Sequence, residues 1–192
     1  MAGRPLTLFL AGDVMIGRGV DQILGHPSDP VLLEAYVRDA RTYVRLAEEV
    51  SGPIPRPVPP EYIWGDLLGR IREPDVRLVN LETSATVSDD FAPGKAVHYR
   101  MHPDNVACLS VIRPVCSLAN NHVLDFGPAG LLETYDTLGA AGIAAAGAGP
   151  DVRRADRPAM ADLGERGRVL VFSVGSGSSG IPADWAAGDG RP

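Results

Sequence analysis

The 192-residue chain has almost no lysine: Lys95 is the only one among 18 Lys and Arg. Its positive charge is therefore nearly all guanidinium, the group that pairs bidentately with carboxylate and phosphate, although a bias spread over a whole chain is more simply codon usage than function. Basic runs are missing as well. None exceeds the pair Arg153-Arg154, and the formal net charge is −6. A protein that grips DNA or RNA by neutralising phosphates carries a basic stripe, so nucleic-acid binding is excluded as the main task. No apolar stretch approaches the ~20 residues of a transmembrane helix. The N-terminal run LTLFLA is too short for a secretory signal and is followed by Gly12-Asp13 rather than a cleavage site. This predicts a soluble protein that stays where it is made, in the cytoplasm as written. Cysteines are few, Cys108 and Cys116 only, and they lack the paired spacing of a zinc site. The apolar neighbourhood VCSLAN predicts free, buried thiols with Cys116 on a strand.

What remains is ordinary globular material. Hydrophobic residues make up 45% and charged residues 22%, with mean hydropathy +0.01. Disorder, collagen and coiled coil are thereby excluded. LTLFLA (6–11) reads as a buried strand that delivers a polar loop. From Val31 to Val50, apolar residues at Leu33, Tyr36, Val37, Ala40, Val44, Ala47 and Val50 have helical spacing, which predicts one amphipathic helix. SGPIPRPVPP (51–60), with five prolines in ten residues, cannot be helical and reads as an extended loop within a domain. PEYIWGDLLGRIRE predicts a short helix, VRLVNLET (76–83) a second strand and VCSLANNH (115–122) a third. Residues 84–105 form a long excursion, 128–141 a helix ended by Gly142, GIAAAGAG a short strand, and RVLVFSV (168–174) the clearest β run. Strand–helix alternation implies an α/β sheet with several parallel strands.

Ligands in open α/β sheets bind at the carboxyl ends of the strands. Three strands here end in residues suited to hard cations: Gly12-Asp13, Asn80-Leu81-Glu82, and Asn120-Asn121-His122 with Asp125 just beyond. Carboxylate, amide oxygen and imidazole from separate loops suit one or two divalent ions such as Mn²⁺, Fe²⁺ or Zn²⁺. Gly-Asp is also common turn chemistry, and Glu82 has a plain alternative as a strand-end ion pair. A polar Asn-Asn-His at the head of an apolar strand has no such simple account.

The strings GDVMIGRG, VNLET and SLANNHVLDFGPAGLLETYDTLGAAGIAAAGAG, with FSVGSGSSGIPADWAA later, resemble the CapA family of poly-γ-glutamate capsule biosynthesis proteins. That family is related to the calcineurin-like metallophosphoesterases. The resemblance implies the layered α/β/β/α sandwich of that superfamily. It also implies one CapA-type domain over 1–192 that corresponds to an N-terminal portion, incomplete at the C-terminus. It implies Asp13, Glu82 and Asn121 as metal ligands, with Glu82 placed to bridge two ions. His122 becomes the group that protonates a leaving group or holds phosphate, and Asp125 orients it from three residues on. Arg100, in the cluster HYRMHP with His98 and His102, becomes a substrate-binding candidate for phosphate or carboxylate.

Two departures bear on that pattern. Met15 stands where the phosphoesterase loop has histidine, and a thioether is a poor ligand for hard cations. The superfamily's later histidine loops have no counterpart after His122. Two classes of function therefore stay open. One is a metal-dependent phosphoester hydrolase serving capsule polymer synthesis, its substrate a phosphoester or an anionic polymer and its partners other capsule-synthesis proteins. The other is a non-catalytic accessory or polymer-binding protein with a degenerate metal site. GSGSSG (175–180) lacks the Lys-Ser/Thr ending of a P-loop, which excludes a P-loop nucleotide enzyme.

Overall fold

Four parallel strands run side by side and carry the polar strand ends to one edge. A computed structural model describes residues 4–189. In chain order, β1 (Leu8–Val14) is followed by the short helix α1 (Arg18–Asp21), then α2 (Arg41–Ser51) and α3 (Leu68–Arg72). After β2 (Val76–Leu81) come the two-residue strands β3 (Ser84–Ala85) and β4 (Arg100–Met101), α4 (Ala107–Ser110) and β5 (Val115–Ser117). The chain continues through α5 (Gly127–Ala140), β6 (Ala144–Ala146), α6 (Val152–Ala155), β7 (Ala159–Asp162) and β8 (Arg168–Val171). The main sheet has the order β1-β2-β5-β6, all parallel, and β3 and β4 form a small parallel pair beside it. This is the α/β architecture that the strand–helix alternation predicts.

The core lies between the sheet and its helices. Val79 and Cys116 on neighbouring central strands, Leu109 of α4 and Leu138 of α5 are fully buried. Each such aliphatic side chain contributes on the order of 2 kcal/mol by leaving water. Helix α5 is also pinned by Thr134, whose hydroxyl accepts from Ala85 N–H (3.0 Å) and donates to the Gly130 carbonyl (2.7 Å). That tie fixes β3 against the helix, and with it the chain leading from β2 toward the site.

Several sequence expectations give way. The helix expected over Val31–Val50 covers only its second half, Arg41–Ser51. Before it, Val31 and Asp39 form an isolated antiparallel bridge, with Ala40 N–H donating to the Pro30 carbonyl (2.7 Å). The loop turns Glu34 inward to meet Arg18 and Tyr43, while Leu33 and Tyr36, which the spacing had placed on a helical core face, are exposed. A buried charge pair overrides periodicity there. Strand β1 is an edge strand rather than a buried one, with Leu8 48% and Leu10 66% exposed. RVLVFSV is strand only to Val171 and pairs antiparallel with β7, outside the parallel sheet. The PEYIWGDLLGRIRE segment begins as a 3-10 turn, Tyr62–Leu67, kinked at Gly65 with φ +51° before α3. Both cysteines are free and buried, as expected. No helix among the described residues is long and apolar enough to cross a membrane.

Candidate functional site

The site starts from a bulge. The register of β1 on β2 slips between Ala11 and Asp13, so Gly12 is the extra residue and Asp13 comes to lie opposite Asn80. A bulge at a strand end re-aims the next side chain. Here it turns Asp13 toward the neighbouring strand end, where Asn80 Nδ2 donates to Asp13 Oδ1 (2.9 Å) and to Glu82 Oε1 (3.0 Å). One amide thus draws two carboxylates from separate loops together.

The ladder continues across the sheet. Asn80 Oδ1 accepts from Asn120 Nδ2 (3.0 Å), which also donates to the Leu81 carbonyl (2.9 Å). Asn120 Oδ1 in turn accepts from His122 N–H (3.0 Å). Parallel pairing of β2 with β5, Asn80 opposite Ser117, is what brings the two loops level. Asn120 is buried and Asn80 partly so, and amides placed like this must be satisfied on both sides; the chain of Asn80 and Asn120 does so while joining all three strand ends.

His122 is buried and tightly held. Its Nδ1 lies 2.7 Å from Asp125 Oδ2, and its Nε2 lies 3.9 Å from Glu82 Oε2. Asp125 is fully buried and accepts from the Tyr99 N–H through the same Oδ2 (2.7 Å). Lys95 Nζ lies 2.7 Å from Asp125 Oδ1. The Tyr99 ring stacks on the imidazole, centroids 4.0 Å apart and planes 22° from parallel. Arg18 lies over the same tyrosine ring (4.7 Å) and over Tyr43 (5.2 Å), its Nε bonded to the buried Glu34 carboxylate (2.6 Å). A carboxylate on one imidazole nitrogen fixes ring orientation and tautomer, leaving the other nitrogen for chemistry.

Asp13, Glu82, His122 and Asp125 are thus joined into one contiguous network, with Asn121 in the same loop as His122. Arg100 lies in another arrangement: its Nη1 donates to the Ser88 carbonyl (3.0 Å) and to Asp89 Oδ1 (2.8 Å), and its guanidinium packs over Phe126 and Phe91. Of the expected cluster, His98 stays beside Arg100 against the rings of Phe91 and Phe126, while His102 leaves it. His98 is buried with Nε2 on the Ala92 carbonyl (2.8 Å), and His102 Nδ1 caps the turn at Pro103–Val106 by accepting from Asp104 N–H (3.2 Å). Met15 serves its own loop, its sulfur accepting from Gly17 N–H (3.1 Å).

Sequence reasoning placed Asn80 and Asn120 at strand ends without giving either a role, and it missed Tyr99 altogether. A tyrosine in an aperiodic loop carries no signal of its own. Lys95 stood out only as the single lysine.

Two carboxylates meeting on one amide, with an imidazole alongside, are hard oxygen and borderline nitrogen donors of the kind Mn²⁺, Fe²⁺ or Zn²⁺ accepts. Among the described residues no group of three His, Cys, Asp or Glu surrounds a single point.

A model for bacterial capsule synthesis proteins, PGA_cap, matches residues 7–192. Two curated relatives from two strains of Mycobacterium tuberculosis, each described as a probable polyglutamine synthesis accessory protein, are 53% identical over 197 aligned positions. The match takes in 100% of this chain and 52% of each relative, so the chain spans about half the length of these relatives.

Proposed function

This chain belongs to the PGA_cap family of bacterial capsule synthesis proteins, and we propose that it serves the synthesis of a polyglutamate-type polymer as an accessory protein with a metal-dependent phosphoester hydrolase site. The observation that carries the site is the His122–Asp125 pair, facing the Glu82 carboxylate at 3.9 Å across converging strand ends. In this reading Asp13 and Glu82, with the Asn121 amide, hold one divalent cation. Such an ion supplies charge neutralisation on phosphorus and a more acidic bound water.

The chain's own residues do the rest. Asp125 holds the His122 ring by Nδ1, so that Nε2 faces the substrate side, where it gives a proton to the leaving oxygen when both ring nitrogens carry one. Tyr99 covers one face of the imidazole and keeps water from it. Asn80 holds the two carboxylates at a common point before any ion arrives. The partners of this reading are an anionic polymer or phosphoester and other proteins of the synthetic machinery.

A second reading, a non-catalytic accessory or polymer-binding protein, is favoured by one observation: the Asn80 amide already satisfies both carboxylates. Thermal unfolding with and without Mn²⁺ separates the two, using the protein as made from its own gene. At 100 times the dissociation constant, a bound ion adds about 2.7 kcal/mol, roughly 5–10 °C for a chain of this size. Asn121→Ala removes the rise, and release of phosphate from an aryl phosphate follows the same dependence on Mn²⁺. An unmoved midpoint at millimolar Mn²⁺ rejects the hydrolase reading and leaves the accessory one.

A further inference from the structure

Lys95 is the chain's only lysine, and its ammonium is built into the site rather than spread on the surface. Nζ lies 2.7 Å from Asp125 Oδ1 and donates to the Asn121 main-chain carbonyl. The Trp185 ring covers it, 5.1 Å from Nζ to the centroid. Three separate segments meet at this nitrogen: the stretch before Tyr99, the loop from Asn121 to Asp125, and the turn at Ala183–Trp185.

We propose that Lys95 is a positioning residue, whose ammonium staples the two ends of the Asn121–Asp125 loop and thereby fixes the imidazole of His122. The proposal rests on the reading above in taking His122 as the working group. Asp125 has two oxygens with separate duties. Oδ2 meets Tyr99 N–H and His122 Nδ1, both at 2.7 Å. Oδ1 is buried without a hydrogen bond, and its partner is the Lys95 ammonium, in ion-pair contact at 2.7 Å. The Lys95 ion pair holds the oxygen that the two Oδ2 bonds leave free, and its hydrogen bond ties the main chain at Asn121 to the same point.

An ammonium suits this task. Its donors point in tetrahedral directions, so one can reach a side-chain oxygen and another a main-chain oxygen of a different residue. A guanidinium presents a planar fork matched to the two oxygens of one carboxylate. In a chain that otherwise uses arginine throughout, this is the place where the geometry calls for lysine. The plainer role would be neutralising a buried carboxylate, and the test has to tell the two apart.

The readout is the tautomer of His122, followed by ¹⁵N–¹H correlation NMR without metal or substrate, at a pH where the ring is neutral. The native protein is expected to show one form, with the proton on Nδ1 and Nε2 bare. In Lys95→Met the Nε2 resonance should move to an averaged position, as the proton divides between the two nitrogens. Reductive dimethylation of the folded protein gives a second test that needs no variant to fold, since Lys95 is the only side-chain amine. Dimethylation keeps the charge but puts two methyl groups on the nitrogen, so the ammonium can no longer keep both its close contact with Oδ1 and its bond to the Asn121 carbonyl, and the same averaging is expected. A single Nδ1-protonated form in the dimethylated protein reduces Lys95 to charge neutralisation and overturns the proposal. The same form in a folded Lys95→Met protein overturns it equally. Since no metal or turnover enters the measurement, a protein without hydrolase activity still answers it.

Discussion

Tyr99 and His122 are stacked face to face, 4.0 Å between centroids, while the main-chain N–H of the same tyrosine bonds the carboxylate that holds the histidine. One residue thus sets the imidazole from two directions. The pairing of Ser84 N–H with the Tyr99 carbonyl (3.0 Å), beside β3 and β4, places it there.

The ring and the main chain of Tyr99 can be separated by substitution. Tyr99→Leu keeps apolar bulk and the N–H but loses the stack on His122 and the contact with Arg18. A loss of about 1 kcal/mol is expected, with Tyr99→Phe close to native. Urea unfolding midpoints decide it. Equal midpoints for Tyr99→Leu and Tyr99→Phe would show that the stack contributes nothing to stability.

Asn80 holds Asp13 and Glu82 by a single NH₂. Asn80→Asp removes both hydrogen bonds and puts a third carboxylate at the same point. Without metal the protein should lose about 1–2 kcal/mol through unmade bonds and like-charge repulsion. With Mn²⁺ the thermal rise should exceed that of the native protein, because a third carboxylate joins the two that hold the ion. A rise no larger than native would place the ion, if bound, away from these residues.

Gly17 is a matter of space rather than of backbone angle. A Cβ at this position would sit 2.7 Å from the Arg100 carbonyl oxygen, a main-chain atom on β4 with little room to retreat. Gly17→Ala should cost about 2 kcal/mol by overpacking, roughly 4–8 °C in the thermal midpoint. A circular-dichroism melt is sufficient, and an unchanged midpoint would mean that β4 gives way freely.

The two thiols predict an alkaline limit. Burial, aided by the negative charges of Asp21 and Glu61, pushes Cys108 up to about 11. Burial alone pushes Cys116 up to about 12. Both stand above the ordinary value of 9.0. Between these limits the unfolded chain releases protons that the folded chain keeps, so stability is full below pH 9 and falls as pH rises toward 11–12. Cys116→Ala should flatten part of that fall in denaturant titrations across the range. At pH 8 a disulfide reagent should find neither thiol until the protein is unfolded, and rapid labelling of the folded protein would contradict the burial.

How far each element could be read from sequence follows from how local its cause is. The strand Val76–Leu81 and the helix Gly127–Ala140 are written in short apolar runs and in Pro128 and appear where expected, while the strand expected over 115–122 is formed only over Val115–Ser117, because its polar end leaves the sheet to bond across it. The free thiols follow from the same apolar runs. The failed helix over 31–40 has a distant cause, since Glu34 is turned inward by Arg18 from another part of the chain. The exposure of Leu8 and Leu10 is likewise unreadable locally, because a hydrophobic run looks the same at the edge of a sheet as at its centre.

The sequence by itself determined which residue types stand at the strand ends: Asp13, Glu82, Asn121, His122 and Asp125 follow or close apolar segments and are legible from pattern and family resemblance. The spacing of Asp125 three residues after His122 already permits their bond. Only the tertiary structure decided how these residues are held. The Gly12 bulge, the register of Asn80 against Asp13, the Asn80–Asn120 ladder, the Tyr99 stack and the Lys95 bridge each join residues far apart in the chain or depend on a pairing register. A sequence displays composition and period. Contacts between distant loops exist only once parallel pairing has set those loops side by side, and that pairing also sent Arg100 to Ser88 and Asp89 instead of to the site.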